Sequence, residues 1–476
     1  MLVAIVGLAV GLTLALSGGG KGKLVPAGGN AGGTYDPLAY APDRQAAFEQ
    51  DAAAGEAHVV FAKSPGGVLA TAKRTAHFRP LVVSAARAGH FDPDMLEAIV
   101  FLESAGRPDV VAGNNLANAA GLTQILAETG QNLLGMHVNL AASRRVTRRI
   151  NVARTARAAK RLERTRRRVD ERFDPRKSLA ATVRYLTIAR KRFGQDDFAV
   201  TSYHMGIGNL ETVLRDYVGS GAGTPIAKLI REQHLTYAQA YFDSSPLHHP
   251  RAWALLARLG DDSSNYYWKL LAAKQIMRLY RTDPAALKRL SALQNARASA
   301  EEVLHPPGST TIFATPGAVK QAESAGRLRR LPNDPKATSF GIDPLLGQFA
   351  HRLGQSPMVY RALRPEALAL LVYLSEGVRA IAPKSSPLLV TSTVRDVRYQ
   401  RLVAAANIEA THGYSLHSTG YALDIRRSYS SHAEALAFQF MLDRLQAMNL
   451  IAWVREPSAI HITVSSAARE LESVLP

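Results

Sequence analysis

Apolar residues follow a helical periodicity from Phe78 to about Leu304, and this long pattern limits the possible folds of the chain more than any other feature of its sequence. Apolar residues recur three or four positions apart, and glycine and proline mark the turns between periodic stretches. This region is therefore predicted to be helical. Beyond Gly341 the pattern changes, because residues 386–394 and 458–466 carry the β-branched runs of strands, with a helical stretch at 432–448 between them.

The predicted fold class is a multidomain chain in which a mainly α domain precedes a smaller α+β domain. Turn-forming residues concentrate between His305 and Gly317 and mark the boundary. The predicted order is an export signal or anchor at 1–20, a linker and helical lead-in at 21–77, a helical domain at 78–304 with a basic insertion near 141–172, a linker at 305–343 and the α+β domain at 344–476.

The N-terminus indicates the compartment. Leu2–Leu16 carries no charge and is followed by small residues, a pattern typical of an export signal, and it is shorter than the roughly 20 residues that span a bilayer. No Lys or Arg precedes this apolar run, so the segment is cleaved, is kept as an anchor, or has its true start upstream. We expect an extracytoplasmic protein, secreted or membrane-anchored at the cell envelope.

The chain contains no cysteine, which excludes disulfides, a lipoprotein anchor, a thiolate metal site and a cysteine nucleophile. Its 58 Lys and Arg against 39 Asp and Glu give a net charge of +19, which predicts attraction to polyanions. Residues 144–168 concentrate this charge in arginines. This basic segment is either a solvated arm or a surface for an anionic wall polymer or the membrane, and no nucleic acid is expected as a partner because export removes it.

Phe91–Pro108 is predicted to be a helix that presents one carboxylate, Glu103. Asp92 can cap the first turn, Pro93 suits the first helical position, and Gly106 ends the helix. In the last turn the helix dipole disfavours an anion, and apolar neighbours raise a carboxyl pKa, as a general acid requires. A solvated surface glutamate is the alternative interpretation of this position taken alone.

Three further motifs follow in order, namely Gly121–Ile125 (GLTQI), which begins a new helical stretch, Phe173–Leu186 (FDPRKSLAATVRYL) and Ser202–Leu210 (SYHMGIGNL). The series resembles the soluble lytic transglycosylase domain, a lysozyme-like α fold with the motifs Glu-Ser, Gly-Leu-Met-Gln, Asn-Pro before a Tyr-Leu helix, and Ala-Tyr-Asn-Ala-Gly. The matching positions are Glu103, Ser104, Gly121, Leu122, Gln124, Tyr185, Leu186, Tyr203 and Gly206, and the departures are Thr123, Asp174 and His204.

The resemblance implies an enzyme that cleaves the bond between N-acetylmuramic acid and N-acetylglucosamine in peptidoglycan, leaves 1,6-anhydro ends and needs no cofactor. Glu103 would be acid and base in turn, because the substrate's own 6-hydroxyl attacks and a second carboxylate is not required. Ser104, Gln124, Tyr203 and His204 would contact the substrate.

A second set of candidate residues lies near the C-terminus. His417 and Asp424, both in Ser415–Ile425 (SLHSTGYALDI), and the later His461 form a two-histidine, one-carboxylate set. Such a set leaves a position open for water, as catalytic zinc requires. A structural histidine close to an aspartate is the common alternative.

The local string resembles the Ser-x-His-x-x-Gly-x-Ala-x-Asp motif of zinc D-Ala-D-Ala carboxypeptidases and related peptidases. The resemblance implies a zinc ion held by the two histidines and the aspartate, with Arg395 orienting the substrate and Glu456 as the catalytic base. The family places its glutamate three residues before the last histidine, where this chain has Ser458. Glu456 therefore needs a turn at Pro457 to face the metal.

Both resemblances point to the same polymer. The leading interpretation is a peptidoglycan-remodelling enzyme with one site for the glycan and a second for the stem peptide. In another interpretation the C-terminal domain is a degenerate module that binds the wall. A third is a basic adaptor of the wall or membrane that has no enzymatic activity.

Overall fold

The structure, a computed structural model, describes residues 22–28 and 33–475, without the side chains of residues 336 and 337. The predicted export signal lies outside the described residues, and none of the described helices is both long and apolar enough to cross a bilayer. The chain forms a helical half (residues 42–304) followed by a C-terminal half (residues 305–475) that contains a five-stranded sheet.

The helical half is preceded by two short paired strands, β1 (Lys23–Leu24) and β2 (Thr34–Tyr35). Its helices are α1 (Gln45–Ala62), α2 (Val68–Ala76), α3 (Arg79–Gly89), α4 (Pro93–Ser104), α5 (Ala127–Asn132), α6 (Leu140–Asn151), α7 (Ala156–Val169), α8 (Pro175–Phe193), α9 (Asp196–Met205), α10 (Ile207–Val218), α11 (Ile226–Glu232), α12 (Tyr237–Phe242), α13 (Pro250–Leu259), α14 (Asp261–Ser264), α15 (Tyr266–Thr282), α16 (Pro284–Gln294) and α17 (Glu301–Leu304).

The C-terminal half is α+β. Its elements are α18 (Pro316–Ser324), β3 (Arg329–Arg330), α19 (Pro335–Thr338), β4 (Phe340–Ile342), β5 (Ala362–Leu363), α20 (Pro365–Ile381), β6 (Leu388–Ser392), α21 (Val397–Ala406), β7 (Ala422–Arg426), α22 (His432–Ala447), β8 (Ile451–Arg455) and β9 (Ala459–Val464). The sheet order is β4-β6-β7-β9-β8; β4 and β6 are parallel and the other neighbours are antiparallel. This arrangement agrees with the predicted mainly α region followed by a smaller α+β region.

The helix predicted around Glu103 forms as α4. A side-chain oxygen of Asp92 accepts a hydrogen bond of 2.8 Å from the Asp94 amide, and Pro93 occupies the first helical position. The helix ends where Ala105 and Gly106 both adopt left-handed backbone conformations. Glu103 therefore lies in the last turn, as predicted.

The lead-in helix α1 is a central element of the fold. It packs against α15 on one side and against α22 of the C-terminal half on the other. Gly55 permits the second contact, because a Cβ atom at this position would lie 2.1 Å from the carbonyl oxygen of Gln446. One cluster of buried apolar side chains consequently runs through both halves.

The segment predicted as a linker, residues 305–343, packs with the C-terminal half. Phe313 and Val319 are buried in one cluster with Tyr360 and Tyr399. The Phe313 amide also donates a hydrogen bond of 2.7 Å to the carbonyl oxygen of Ser418. The turn-forming residues that indicated a boundary therefore belong to a segment that buries apolar side chains in the core of the C-terminal half.

Gly121–Ile125 was predicted to begin a helix, and the structure shows instead a turn closed by a bridge between Ala120 and Ile125. The reason is a close backbone approach. Gly121 has a φ of +85°, and a Cβ atom there would lie 1.8 Å from the Arg172 carbonyl oxygen. The next helix, α5, begins two residues after Ile125.

Arg172 holds this turn in position. Its guanidinium is buried, pairs with Asp170 at 2.8 Å and donates to the carbonyl oxygens of Leu116, Asn118 and Ile125. A buried guanidinium is tolerated only when its donors are satisfied in this way. The loop that follows Glu103 is thereby tied to the segment that precedes α8.

The basic segment folds into a helical hairpin of α6 and α7 that projects charge outward. Two arginines are exceptions: Arg166 is buried against the Phe173 ring and pairs with Asp109 at 2.6 Å, and Arg167 is half-buried. The exposed cations of the hairpin are Arg144, Arg145, Arg148, Arg149, Arg154, Arg157, Lys160, Arg161, Arg164 and Arg168.

Candidate active sites

The Glu103 side chain lines a cleft between α1, α4, α9 and α15. The cleft is lined by Val59, Val60, Lys63, Ser64, Pro65, Thr71, Phe101, Leu102, Glu103, Ser104, Ala105, Arg107, His204, Asp262, Tyr266 and Lys269. Asp262 is the one other carboxylate among the described residues that line it. Asp262 pairs with Lys269 at 3.0 Å and Lys63 at 3.5 Å, and these cations lower its pKa.

The Glu103 carboxyl is held by the first residue of α15. The Tyr266 hydroxyl donates a hydrogen bond of 2.8 Å to Glu103 Oε1, and the Tyr266 ring stacks on His204 with 5.1 Å between centroids. Burial raises the pKa of Glu103 to about 7, although the Tyr266 hydrogen bond acts in the opposite direction. Glu103 can therefore hold a proton near neutral pH, as a general acid must.

The structure brings only some of the predicted substrate contacts to the cleft. Ser104 and His204 line it; the Ser104 hydroxyl donates to the Val100 carbonyl oxygen. Gln124 does not belong to the described lining, because its amide donates to the carbonyl oxygens of Gly121 and Val110 within its own loop. The tight turn at Gly121 brings these two carbonyl oxygens within reach of the Gln124 amide.

Tyr203 lies behind the cleft. Its hydroxyl donates a hydrogen bond of 2.7 Å to the Thr123 carbonyl oxygen, and its ring packs edge-on against Tyr185. Burial and the nearby Glu103 charge raise the pKa of Tyr203. Tyr203 thus connects α9 to the turn at Gly121–Ile125 and is not among the described residues that line the cleft.

Sequence reasoning missed Tyr266. It lies 163 residues after Glu103 in the chain, and no local motif marks it. The only local signal is its position at the start of an apolar helix, and tyrosines at such positions are commonly core residues. Its role becomes visible when α15 packs against α4.

The structure brings His417, Asp424 and His461 together, with one potential ligand atom of each within 4.8 Å of the others. Asp424 on β7 lies directly opposite His461 on β9 in the antiparallel ladder. Asp424 Oδ1 is 2.7 Å from His461 Nδ1 and 3.3 Å from His417 Nε2. Two ligands of a tetrahedral zinc ion are about 3.3 Å apart, given zinc bonds of roughly 2.0–2.1 Å. The Asp424–His417 pair has this spacing, whereas the Asp424–His461 pair is a direct hydrogen bond that would have to lengthen for both side chains to bind one ion.

The two histidines differ in charge. Burial and the Arg395 guanidinium lower the pKa of His417 to about 4, which keeps its imidazole neutral as a ligand must be. Burial also disfavours a charged His461, but hydrogen bonds to Asp424 and Glu301 outweigh it and raise the pKa of His461 to about 10. A metal ion bound here would replace the proton that these carboxylates hold on His461.

Arg395 and Glu456 line the same pocket. Arg395 donates to Asp424 Oδ2 at 3.1 Å and also to Ser392 and Gln400, so its donors face protein groups. Glu456 lies in the turn between β8 and β9, which its amide closes by donating to the Ala459 carbonyl oxygen. Burial and the Asp424 charge raise the pKa of Glu456.

Sequence reasoning also missed Glu301. This buried residue begins α17 in the helical half, and its Oε1 lies 2.8 Å from His461 Nε2. No spacing rule connects a glutamate to a histidine 160 residues later in the chain.

A third group, Asp243, His248 and His249, also brings potential ligand atoms within 4.8 Å of one another. Its side chains are partly exposed, and His248 Nδ1 already bonds Asp243 at 3.0 Å. The group lies beside Arg444, whose guanidinium bonds the neighbouring carbonyl oxygens of Phe242 and Ser244.

Part of the helical half is similar to a known enzyme domain. The family described as the transglycosylase SLT domain matches residues 150–221, which contain Tyr185 and Tyr203. No curated protein matches the chain. The likeness supports a lytic transglycosylase domain that acts on peptidoglycan. Glu103 and the turn at Gly121–Ile125 lie outside the matched residues, so their assignment depends on the geometry of the cleft.

We predict that Glu103→Gln stabilises the protein at alkaline pH. The pKa of Glu103 is raised from 4.5 to about 7 by folding. Stability from this group is therefore complete at low pH and is lost as pH rises from about 4.5 to 7, where the folded state must ionise a buried carboxyl. At about pH 8 the variant should unfold with a free energy about 1–3 kcal/mol larger than wild type, and at about pH 4 the two should agree. Urea unfolding at both pH values tests this, and a difference independent of pH would contradict it.

Proposed function

We propose that this protein is an exported enzyme of the cell envelope that cleaves peptidoglycan glycan strands without water, through a lysozyme-like domain. The observation that carries the proposal is Glu103, a single carboxyl with a raised pKa in a cleft of the half that resembles the transglycosylase SLT domain. Asp262 is paired with two lysines, which favours a structural role over that of a nucleophile. The cleft therefore suits chemistry that needs one acid and base.

In the proposed reaction protonated Glu103 gives its proton to the glycosidic oxygen, and the bond from C1 of N-acetylmuramic acid to that oxygen breaks. The Glu103 carboxylate then takes the proton of the C6 hydroxyl, and that oxygen bonds to C1. The products are a 1,6-anhydro end and a free hydroxyl on N-acetylglucosamine. Glu103 is protonated again, and water is not consumed.

We predict that Glu103→Gln abolishes release of 1,6-anhydro muropeptides from isolated peptidoglycan, because the amide cannot donate the proton. Asp262→Asn is the matched control and should keep the anhydro product. Mass spectrometry of the released fragments measures both variants. Reducing ends from wild type, lost in Asp262→Asn, would indicate hydrolysis with Asp262 as the second carboxylate and would refute the proposal.

The pH dependence adds a second readout for the same site. Wild-type activity should fall as pH rises through about 7, where Glu103 loses its proton. The hydrogen bond from Tyr266 lowers the pKa of Glu103. Tyr266→Phe should therefore shift the fall in activity to higher pH, which the pH profile of product release measures. An unchanged pH profile would show that the Tyr266 hydrogen bond does not affect proton transfer by Glu103.

We further propose that the C-terminal half holds zinc at His417, Asp424 and His461 and is directed at the stem peptide. The separation of their ligand atoms and the neutral His417 support this assignment. Zinc bound there would supply a Lewis acid and an activated water. Glu456 would accept the proton of that water, and Arg395 would hold Asp424 in position.

Metal analysis of the full chain tests the second site. We predict that His417→Ala loses one zinc equivalent relative to wild type, while His412→Ala, a change at an exposed histidine nearby, keeps it. Glu456→Gln should keep zinc and lose cleavage of the stem peptide. Equal zinc in wild type and His417→Ala would refute the site, and zinc without any peptide cleavage in wild type would favour the wall-binding module.

We propose an anionic wall polymer as the partner of the α6–α7 hairpin. Its exposed arginines suit bidentate contacts to phosphate, and Val152 is the one large apolar side chain strongly exposed on the described hairpin, which disfavours insertion into a membrane.

We predict that replacing Arg149, Arg157 and Arg164 by Gln weakens binding to isolated wall about 100-fold at low salt, at roughly 1 kcal/mol per cation. The same change at Arg258, Lys288 and Arg289, which are also exposed, is the control. Sedimentation with wall, with wall stripped of phosphate polymers, and with anionic phospholipid vesicles measures the binding. Loss of binding only to vesicles would contradict the proposal.

A further inference from the structure

Part of the second pocket is built from the helical half. Ala296, Arg297, Ala298 and Glu301 line it together with His461 and the other residues of the proposed zinc site. These four residues precede the boundary at His305, and α17 packs against β8 and β9. The pocket is therefore composite, with a wall that the C-terminal half does not contain.

Glu301 contacts His461, one of the predicted zinc ligands, at the ring nitrogen that does not face Asp424. Its Oε1 lies 2.8 Å from His461 Nε2 and accepts a hydrogen bond of 2.8 Å from the Thr463 hydroxyl. The opposite ring nitrogen of His461, Nδ1, is the one that faces Asp424. Glu301 is thus paired with Nε2, the His461 nitrogen that a metal ion beside Asp424 would not bind.

The other histidine is held in the same manner. His417 Nδ1 donates a hydrogen bond of 2.8 Å to the Thr393 carbonyl oxygen, and its Nε2 faces Asp424. Each imidazole therefore has its outer nitrogen engaged and its inner nitrogen directed at the common point. Such outer partners set the tautomer and ring orientation of metal-binding histidines.

The segment that carries Glu301 is fixed to both halves. Arg297 donates to the Tyr414 carbonyl oxygen, and the Tyr414 hydroxyl donates to the His305 carbonyl oxygen at 2.9 Å. On the other side, His58 of α1 bonds the Ala298 carbonyl oxygen at 3.0 Å. These contacts hold Glu301 in place without depending on a metal.

We propose that the helical half completes the metal site of the C-terminal half, with Glu301 as a positioning residue that holds His461 with Nδ1 toward the ion. This inference rests on the proposed zinc site. It assigns two different tasks to two carboxylates of one pocket. Glu301 lies on the outer nitrogen of His461, away from Asp424, and sets metal affinity, whereas Glu456 is the proposed base.

The experiment measures zinc affinity of the full chain by competition with a chromophoric chelator. The variants are Glu301→Gln, which keeps an oxygen acceptor, and Glu301→Ala, which removes it. Glu409→Gln is the matched control, because Glu409 lines the same pocket and is exposed. His417→Ala provides the baseline for zinc held elsewhere, including at Asp243, His248 and His249. Thermal unfolding without metal checks that each variant is folded.

We expect about 10-fold to 100-fold weaker zinc binding in Glu301→Ala, a smaller loss in Glu301→Gln and wild-type affinity in Glu409→Gln. Zinc-saturated Glu301→Gln should keep peptide cleavage, which Glu456→Gln should lose. Unchanged affinity in both Glu301 variants would overturn the inference and leave the zinc site intact. An equal loss of zinc affinity in Glu409→Gln would show that the negative charge of the pocket causes the effect, and this result would also overturn the inference. Zinc binding that does not depend on His417 would refute the inference together with the site.

Discussion

Both candidate sites depend on an ionisable side chain that is partly shielded from water and held by a partner from another element of the chain. Glu103 is held by Tyr266, and His461 is held by Asp424 and Glu301. An unpartnered buried polar group costs roughly 1–3 kcal/mol, and more when it is charged. The partner therefore determines both whether the site is tolerated and which protonation state it keeps. Arg172, which precedes α8, follows the same rule, because its buried guanidinium pairs with Asp170 and bonds carbonyl oxygens of the loop that follows Glu103.

Helix α1 joins the two sites into one body. Its Val59 and Val60 line the Glu103 cleft, and its His58 holds the segment that lines the second pocket. Gly55 on the same helix lets the end of α22 approach closely. The packing of α1 against both halves thus sets the distance between the two pockets, and this distance does not depend on a linker. The composite wall around Glu301 is a direct result of this packing.

Much of the local structure could be predicted from the sequence. The caps of α4 and α8 form as expected, with Asp92 and Asp174 accepting from amides of the first turn. The strand that carries His461 also forms as expected, whereas β7, which carries Asp424, was not predicted; the pairing of the two strands brings both side chains to one face. The turn at Gly121 was not predictable in this way, because a contact with Arg172 overrides the helical pattern. The same turn engages Gln124 within its own loop.

The residue pattern along the chain was enough to predict the helical region, the strands β6 and β9, the carboxylate at Glu103 and the candidate set of His417, Asp424 and His461, because each of these depends on a short local stretch or motif. The contacts of Tyr266 with Glu103 and of Glu301 with His461 became known only from the packing of the folded chain. Each of these contacts spans about 160 residues of chain, and its existence depends on how whole helices pack against each other. Apolar burial drives that packing without regard to direction, so no spacing rule along the chain can specify which polar groups it brings together.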